Sequence, residues 1–396
     1  MFITSNQNGV RLLLQTNRKF RDTNAWYHIV VAVDSTQGTS TDRAKLYING
    51  VQETSFVSSG GNSAVYPSSS QGLGLDGGNG YTNYIGSRDG SSEIFDGSMS
   101  HFHHVDGTAL APTVFGSTDS TTGQWKINTS PSYTVGTKGF FILKDGNSVT
   151  DQSANTNNFT VGGGTLTKTE DCPSNVFATI NPLTLSASKW NLEYGNLKTN
   201  GHASGAGNAW RSVYGTLGAL SGKYYFEMKV DRVQGSDPNN IRVGIIDPEQ
   251  MRQEADNASF TDKTRAYGYQ ATNGNMVNAG NNTSFGATYT TNDIIGVAMD
   301  LTNSKLYFSK NGTFQNSGVP TSGSTGTGAV SITSGYPYIP AVAHYYDDDR
   351  ISFNFGNGYF GTSAISSAGT NASGNGIFEF DCPDGYTALS TKGLNL

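Results

Sequence analysis

The chain has 396 residues, enough for two or three domains with cores of their own, and its net charge of −6 comes without a Lys/Arg cluster, which argues against nucleic-acid binding by phosphate neutralisation. Charged residues make up only 14% and apolar ones 35%, the latter in short runs between stretches rich in Gly, Ser, Thr and Asn, a pattern of a loop-rich all-β chain and not of a disordered one. No run of about 18 apolar residues exists and no basic flank precedes a signal-length apolar core, so neither membrane insertion nor cleaved export is expected.

The first clear element is Trp26 to Asp34, an apolar run too short for a helix and rich in branched residues, which predicts a strand covered on both faces. After a polar turn, Lys45 to Val51 puts Leu46 and Ile48 on one face and Lys45, Tyr47 and Asn49 on the other, with a hairpin turn at Asn49-Gly50. A last strand of this region is expected near Ser98 to Asp106, followed by a helical turn from Thr108 to Gly116. Residues 117–185 read as an extended connector in which Gly139 to Leu143 is a possible strand and Asp151 to Thr169 is polar.

Further along, strands are predicted at Lys223 to Val230, Ile241 to Ile246, Arg265 to Gln270, Asp293 to Asp300, Lys305 to Ser309, Tyr338 to His344 and Arg350 to Phe355. In the first of these Tyr224, Phe226, Met228 and Val230 alternate with Tyr225, Glu227 and Lys229, which predicts one core face and one wet face. Asp247-Pro248-Glu249-Gln250 carries a helix start of about two turns, with Asp as cap, Pro at the first position and Gln250 closing a capping box. Asp300 to Gly312 repeats the earlier pattern: Asp34, Lys45-Leu46-Tyr47 and Asn49-Gly50 parallel Asp300, Lys305-Leu306-Tyr307 and Asn311-Gly312. Two sandwiches of similar construction follow from this.

These motifs, with Phe353-Asn354-Phe355-Gly356 and Asp381-Cys382-Pro383-Asp384-Gly385-Tyr386, make residues 186–396 resemble an SPRY domain, a recognition module. The front part, 1–116, with Phe20 to Asp34, Asn83-Tyr84-Ile85-Gly86, Phe95-Asp96-Gly97 and His104 to Leu110, resembles the laminin-G-like (concanavalin A-like) domain of marine bacteriophage virion proteins. The bridge Asp171 to Leu183 is similar to that group's connecting segment. The resemblance implies further strands ahead of the matching part, where only Met1 to Thr16 stand, and hence an edge for another chain to cover. It also implies a Gln-Arg-Pro stretch where this chain has Asn357-Gly358-Tyr359. The expected fold is therefore all-β: two antiparallel concanavalin A-like/SPRY-type β-sandwiches joined by the connector.

Enzymatic chemistry finds little support. Sandwich glycosidases place carboxylates on one strand face as Glu-x-Asp-x-Glu, whereas Glu254-Ala255-Asp256 runs into Ala258 and Glu379-Phe380-Asp381 into Pro383. Nucleophile elbows, phosphate loops, His-Glu-x-x-His and Cys-x-x-Cys are absent. His101 and His103 share a strand face, a workable pair of metal ligands without an evident third, so packed or hydrogen-bonded histidines are the preferred reading and no metal or catalytic residue is assigned. The two cysteines, Cys172 and Cys382, both in Asp-Cys-Pro, could form a disulfide, but lie far apart without a secretion signal and are expected unpaired.

Two stretches are candidate binding residues. Tyr345, Tyr346, Asp347, Asp348 and Asp349 lie between two predicted strands and would either ligate calcium, form a rim for a polar partner, or simply solvate a turn; no cofactor is required. Trp210, Arg211 and Tyr214 follow the Gly-rich stretch Gly201 to Gly207 as a second exposed-aromatic candidate, with core packing as the alternative for Trp210. The functional expectation is a non-enzymatic virion component, a tail-fibre or capsid-surface appendage made in the host cytoplasm. It would bind a host-surface glycan or receptor, or other virion proteins, as a homo-oligomer, a trimer if a fibre. A polysaccharide depolymerase and a capsid cement protein are the alternatives.

Overall fold

The computed structural model describes residues 2–6, 10–21, 25–58, 63–74, 82–95, 97–144, 148–163, 166, 169–184, 190–202, 208–234, 241–251 and 259–395. Strands dominate, pairing antiparallel apart from one short parallel contact between Lys223–Arg232 and Thr387–Ala388, and the only helices among the described residues are short 3-10 turns. The all-β reading holds. The chain divides into two compact units, Met1–Lys168 and Thr169–Leu396. That division falls inside the segment read as a connector, whose strands Gly116–Thr118, Trp125–Ile127 and Phe140–Ile142 lie in the first unit, while Phe177, Ala178 and Ile180 are buried in the core of the second.

In the first unit the strands Ile29–Val33, Ala44–Ile48 and Val51–Glu53 form a meander, and a hairpin of Phe2–Asn6 with Val10–Gln15 contributes Leu12 and Leu14 to a core shared with Ala44, Leu46 and Ile48. Alternation across Lys45 to Asn49 is as expected. The strand at Ile29–Val33 is not covered on both faces: Ile29 is 43% and Val31 36% exposed. Although these residues pair with Ile48 and Leu46, which are buried, the outer strand reaches the core mainly through Val33 and lies at the edge of the sheet among the described residues.

The two Asn-Gly hairpins, one in each unit, are built alike. Asn49 and Gly50 take φ of 49° and 78°, Asn311 and Gly312 48° and 82°, both residues left-handed as a two-residue hairpin turn with the natural strand twist demands. Asn49 Oδ1 accepts the His28 N–H and its own N–H donates to the His28 carbonyl, each at 2.8 Å; Asn311 does the same with Ile294, again at 2.8 Å.

The second unit is a sandwich. Its first sheet runs Trp190–Glu193, Lys198–His202, Arg350–Asn354, Lys223–Arg232, Ile294–Asp300, Lys305–Lys310 and Thr313–Phe314; its second runs Arg211–Tyr214, Ile339–His344, Ile241–Ile246, Ala266–Gln270, Asn275–Asn278 and Asn281–Ser284. All seven predicted strands are present to within two residues at each end. Phe226, Met228 and Val230 from the first sheet and Val243, Ile245, Tyr269 and Val342 from the second fill the space between them.

Both outer faces carry a second layer. On the first sheet, Tyr225 and Glu227 are fully buried, so the face expected to be wet is not. The C-terminal segment crosses it: Phe378 meets Tyr225 edge-on at 4.9 Å, and the backbone N–H groups of Glu379 and Phe380 donate to Glu227. A strand alternating polar and apolar residues looks half-exposed in sequence, but a carboxylate that finds backbone donors can be covered as thoroughly as a valine. On the second sheet, Tyr214, Ile246, Ile339, Ala341 and Ala343 are covered by the turn Phe260–Asp262. Asp247 caps its turn through Glu249 N as expected, but the helix is one 3-10 turn, Pro248–Gln250, ended by Met251 in an extended conformation. The capping box does not close, because the Gln250 side chain instead donates to Thr264 and accepts from Arg265 N.

Candidate functional site

The site is built where strands of both sheets end together. Ile339–His344 leads into Tyr345 to Asp349 and back through Arg350–Asn354; Trp210 precedes Arg211–Tyr214; Lys223–Arg232 ends beside Val233 and Gln234; Ile241–Ile246 starts next to them. Register fixes the convergence, since Arg211 and Ile241 both stand opposite His344, and Asn200 and Arg232 both opposite Arg350.

Hydrogen bonds and ion pairs frame the loop. Ala209 N donates to the Tyr345 carbonyl at 2.9 Å and Asp347 N to Asn208 Oδ1 at 3.2 Å. Asp348 N donates to Gln234 Oε1 at 3.1 Å, while Gln234 N donates to Asp349 Oδ1 at 2.9 Å. Arg232 and Arg350 pair with the two carboxylate oxygens of Asp348 at 2.8 and 2.9 Å. Gly201, at φ 76°, lets the neighbouring strand pass so close that a Cβ there would stand 2.3 Å from the Asp347 carbonyl oxygen.

Its aromatic part is a chain of rings. Trp210 lies edge-on to Tyr345 at 5.8 Å, Tyr345 edge-on to Tyr346 at 5.3 Å, and the Arg242 guanidinium sits 4.1 Å over the Trp210 ring. Arg242 is in turn held by Thr261 Oγ1 at 2.7 Å. All three rings are half-buried, so each is fixed by packing yet presents surface.

The three aspartates play different parts. Asp347 is exposed; Asp348 is neutralised by its two arginines; Asp349 is buried, with its Oδ2 finding no donor among the described residues. Burial pushes the Asp349 carboxyl up to about 6, against the backbone donors of Gln234 and Tyr346 and with the charges of Asp348 and Asp347 adding to the rise. No group of three metal-ligating side chains occurs among the described residues, and the pairing of Asp348 with two cations works against calcium here.

Of the sequence candidates, Trp210, Tyr345, Tyr346, Asp347 and Asp348 come together, with Asp349 as an internal strut. Arg211 and Tyr214 do not reach the surface: Arg211 is 3% exposed and Tyr214 is part of the cluster beneath Phe260, because alternate positions of a strand covered on both faces are all interior. Residues 203–207 of the Gly-rich stretch lie outside the described residues, as do Glu254, Ala255 and Asp256. Not foreseen from the sequence were Arg232, Gln234 and Arg242, which join the site from strand ends remote in the chain, and Asn208, whose side chain carries no local signal although it stands two residues before Trp210.

Elsewhere, His103 is a packed strand histidine: Tyr133 hydrogen-bonds its Nδ1, Phe141 stacks on it at 5.2 Å, and burial pushes it down to about 4. Glu379 and Asp381 hold Ser366 and Thr370 in turns.

The second unit is thus a β-sandwich with an ordered aromatic and acidic loop at one end. Residues 223–358 match the SPRY domain family, so an SPRY domain occupies that part of the second unit. The match takes in Arg232, Gln234, Arg242 and Tyr345 to Asp349, whereas Trp210 lies ahead of it. Among solved structures, the SPRY domain of human HERC1 is similar at 16% identity, covering 41% of this chain and 91% of that one with a TM-score of 0.32. A second human SPRY domain is also 16% identical and covers 42% of this chain and 94% of its own, again at 0.32. No curated protein matches the chain.

Proposed function

We propose that this protein is a recognition module that binds a partner protein through the loop end of its second unit, without turnover. The observation that carries the reading is the row Trp210, Tyr345, Tyr346, half-buried and held by ion pairs and backbone hydrogen bonds, with Asp347 exposed beside it. Rigid aromatics on loops anchored by a sandwich provide large contact area at small entropic cost, the usual composition of binding hot spots. An SPRY domain suggests a protein–protein interaction module, and a partner segment carrying a cation would meet Asp347.

The resemblance of the front half supports the narrower reading that the module belongs to a virus particle, as a tail-fibre or capsid-surface appendage in several copies, where repetition would raise a weak single-site affinity. Ile29 and Val31, exposed on a strand that no second described strand covers, favour assembly with further copies or other particle proteins. A non-enzymatic role is supported by the engagement of Glu379 and Asp381 in turns, which removes them as an acid–nucleophile pair.

The test is a comparison of captured partners. Affinity capture from host and particle fractions with the intact protein, and with Tyr345→Ala and Trp210→Ala, should yield a protein that both substitutions release, each costing about 2 kcal/mol or more of affinity. Partners retained equally by all three forms would place binding elsewhere, and sugar release from host polysaccharide would replace recognition with hydrolysis.

A further inference from the structure

Away from that site, the second unit is open along one margin. There the second sheet ends in Asn281–Ser284, and the groove between it and the segments of the first sheet near Val330–Ser331 has a volume of about 340 Å3, at the small end of the range of ligand pockets.

Register shows that the groove is the continuation of the sandwich interior. Tyr269 stands opposite Met276, and Met276 opposite Thr283, so one inward-facing row runs from a fully buried tyrosine, through a methionine of the main core, to an exposed threonine. The neighbouring row ends in Asn278 opposite Asn281. At the last strand the interior surface thus changes from apolar to amide and hydroxyl, where a margin closed against another protein core would stay apolar.

Among the described residues no ionised side chain lines the groove itself; Lys305 reaches its margin, where its Nζ donates to Ser331 Oγ at 3.0 Å. Tyr267, Met276 and Phe285 give it an apolar part, and the Tyr267 hydroxyl is already paired with Thr333 at 3.0 Å. Asn278 donates both amide protons to the carbonyls of Thr264 and Ala266, at 2.9 and 2.8 Å, which leaves its side-chain oxygen as a fixed acceptor. Across the groove stand Ser331 and Asn316; Asn316 and Ser317 both hold φ of 53°, a strained pair of left-handed residues that persists only where its surroundings over-determine it. Here the Asn316 amide is tied to the Gly328 carbonyl at 3.3 Å.

We propose that this groove binds a neutral oligosaccharide. A cationic ligand entering it would lose water without meeting a counter-charge among the described residues, and an anionic one would find only Lys305, already tied to Ser331. A sugar ring presents hydroxyls that donate and accept at once, which match Asn, Ser and Thr, and a C–H face that suits Tyr267, Met276 and Phe285. The site is separate from the partner-protein surface at the loop end.

Calorimetry and saturation-transfer NMR on the intact protein with cellotriose, maltotriose and the trimer of N-acetylglucosamine test this, with a heparin tetrasaccharide and an extended Asn/Ser-rich peptide as comparisons. At least one neutral trisaccharide should bind in the millimolar range or tighter. Thr283→Arg, at an exposed position where folding is checked by an unchanged melting temperature, should weaken it about tenfold or more. Tyr345→Ala should leave it unchanged, which separates this site from the one above. Failure of all three sugars, equal binding by Thr283→Arg, or preference for heparin or the peptide would overturn the assignment.

Discussion

The backbone N–H of Phe380 donates to Glu227 Oε1 at 2.9 Å, tying the C-terminal segment to the middle of the first sheet across 153 residues of sequence. Glu379 N donates to Oε2 at 2.9 Å and Asn354 Nδ2 to the same oxygen at 3.2 Å, so both carboxylate oxygens serve as acceptors for the layer that covers the sheet. Glu227→Leu would leave buried donors without an acceptor, at about 1–3 kcal/mol each, and Glu227→Gln would turn a donor toward one of them for a smaller loss. Urea unfolding should rank the three proteins in that order, and hydrogen exchange at Glu379 and Phe380 should quicken. Equal stability of all three would show that the segment is held by its apolar contacts alone.

Burial pushes Glu227 up to about 7 and Asp349 up to about 6. For a carboxyl raised above its unfolded value, the folded state keeps a proton that the unfolded state has released, so stability falls as pH rises from the ordinary carboxyl range through the folded value. Each group should therefore lower stability with a slope on the order of 1 kcal/mol per pH unit over that window, Asp349 ceasing to contribute before Glu227. Unfolding midpoints across weakly acidic to neutral pH check this: Asp349→Asn and Glu227→Gln should each flatten the decline. A slope unchanged in both would remove these two carboxyls as its source.

How much of this was legible depended on whether chemistry and period agreed within one short segment. The strand Lys305–Lys310 and the turn at Asn311-Gly312 were plain because alternation, two aromatic residues and a left-handed Asn-Gly pair all sit within eight positions. The hairpin Asn275–Asn278 with Asn281–Ser284 was not, since its residues are mostly amides and hydroxyls and its turn carries Ala279 at φ 51°, a residue that gives no turn signal. The candidate site was half-visible for a similar reason: the Tyr-Tyr-Asp-Asp-Asp run is local, but Arg232, Gln234 and Arg242 join it only through strand register. Burial of Tyr225, Glu227, Arg211 and Tyr214 was illegible because a second covering layer comes from segments far along the chain, and no period in a strand reports what lands on its outer face.

Gly201 couples a strand to the candidate site. With φ at 76° and a Cβ position 2.3 Å from the Asp347 carbonyl oxygen, Gly201→Ala must displace the loop backbone. The expected cost is about 1–3 kcal/mol, the scale of overpacking. Exchange of the Ala209 amide, which donates to Tyr345, should rise more than exchange in the core strand Ile294–Asp300. Uniform loosening of the unit would mean that the glycine serves the fold as a whole and not the loop.

Cys172 and Cys382 both stand as free thiols. Their surroundings differ. Cys382 is 3% exposed and its thiol is pushed up to about 12 by burial, with the Glu227 and Asp384 charges adding to the rise, whereas Cys172 is half-buried beside Ser174. The thiolate is the reactive form, so a thiol so raised and so covered is inert in the folded state. Titration with an aromatic disulfide reagent should modify Cys172 alone in the native protein and both cysteines in denaturant without reductant. Cys172→Ser should abolish the native reaction and leave one thiol after unfolding. No reactive thiol in the unreduced, denatured protein would instead mean that the two are joined, and rapid native modification of Cys382 would mean that the C-terminal layer opens far more readily than its contacts with Glu227 imply.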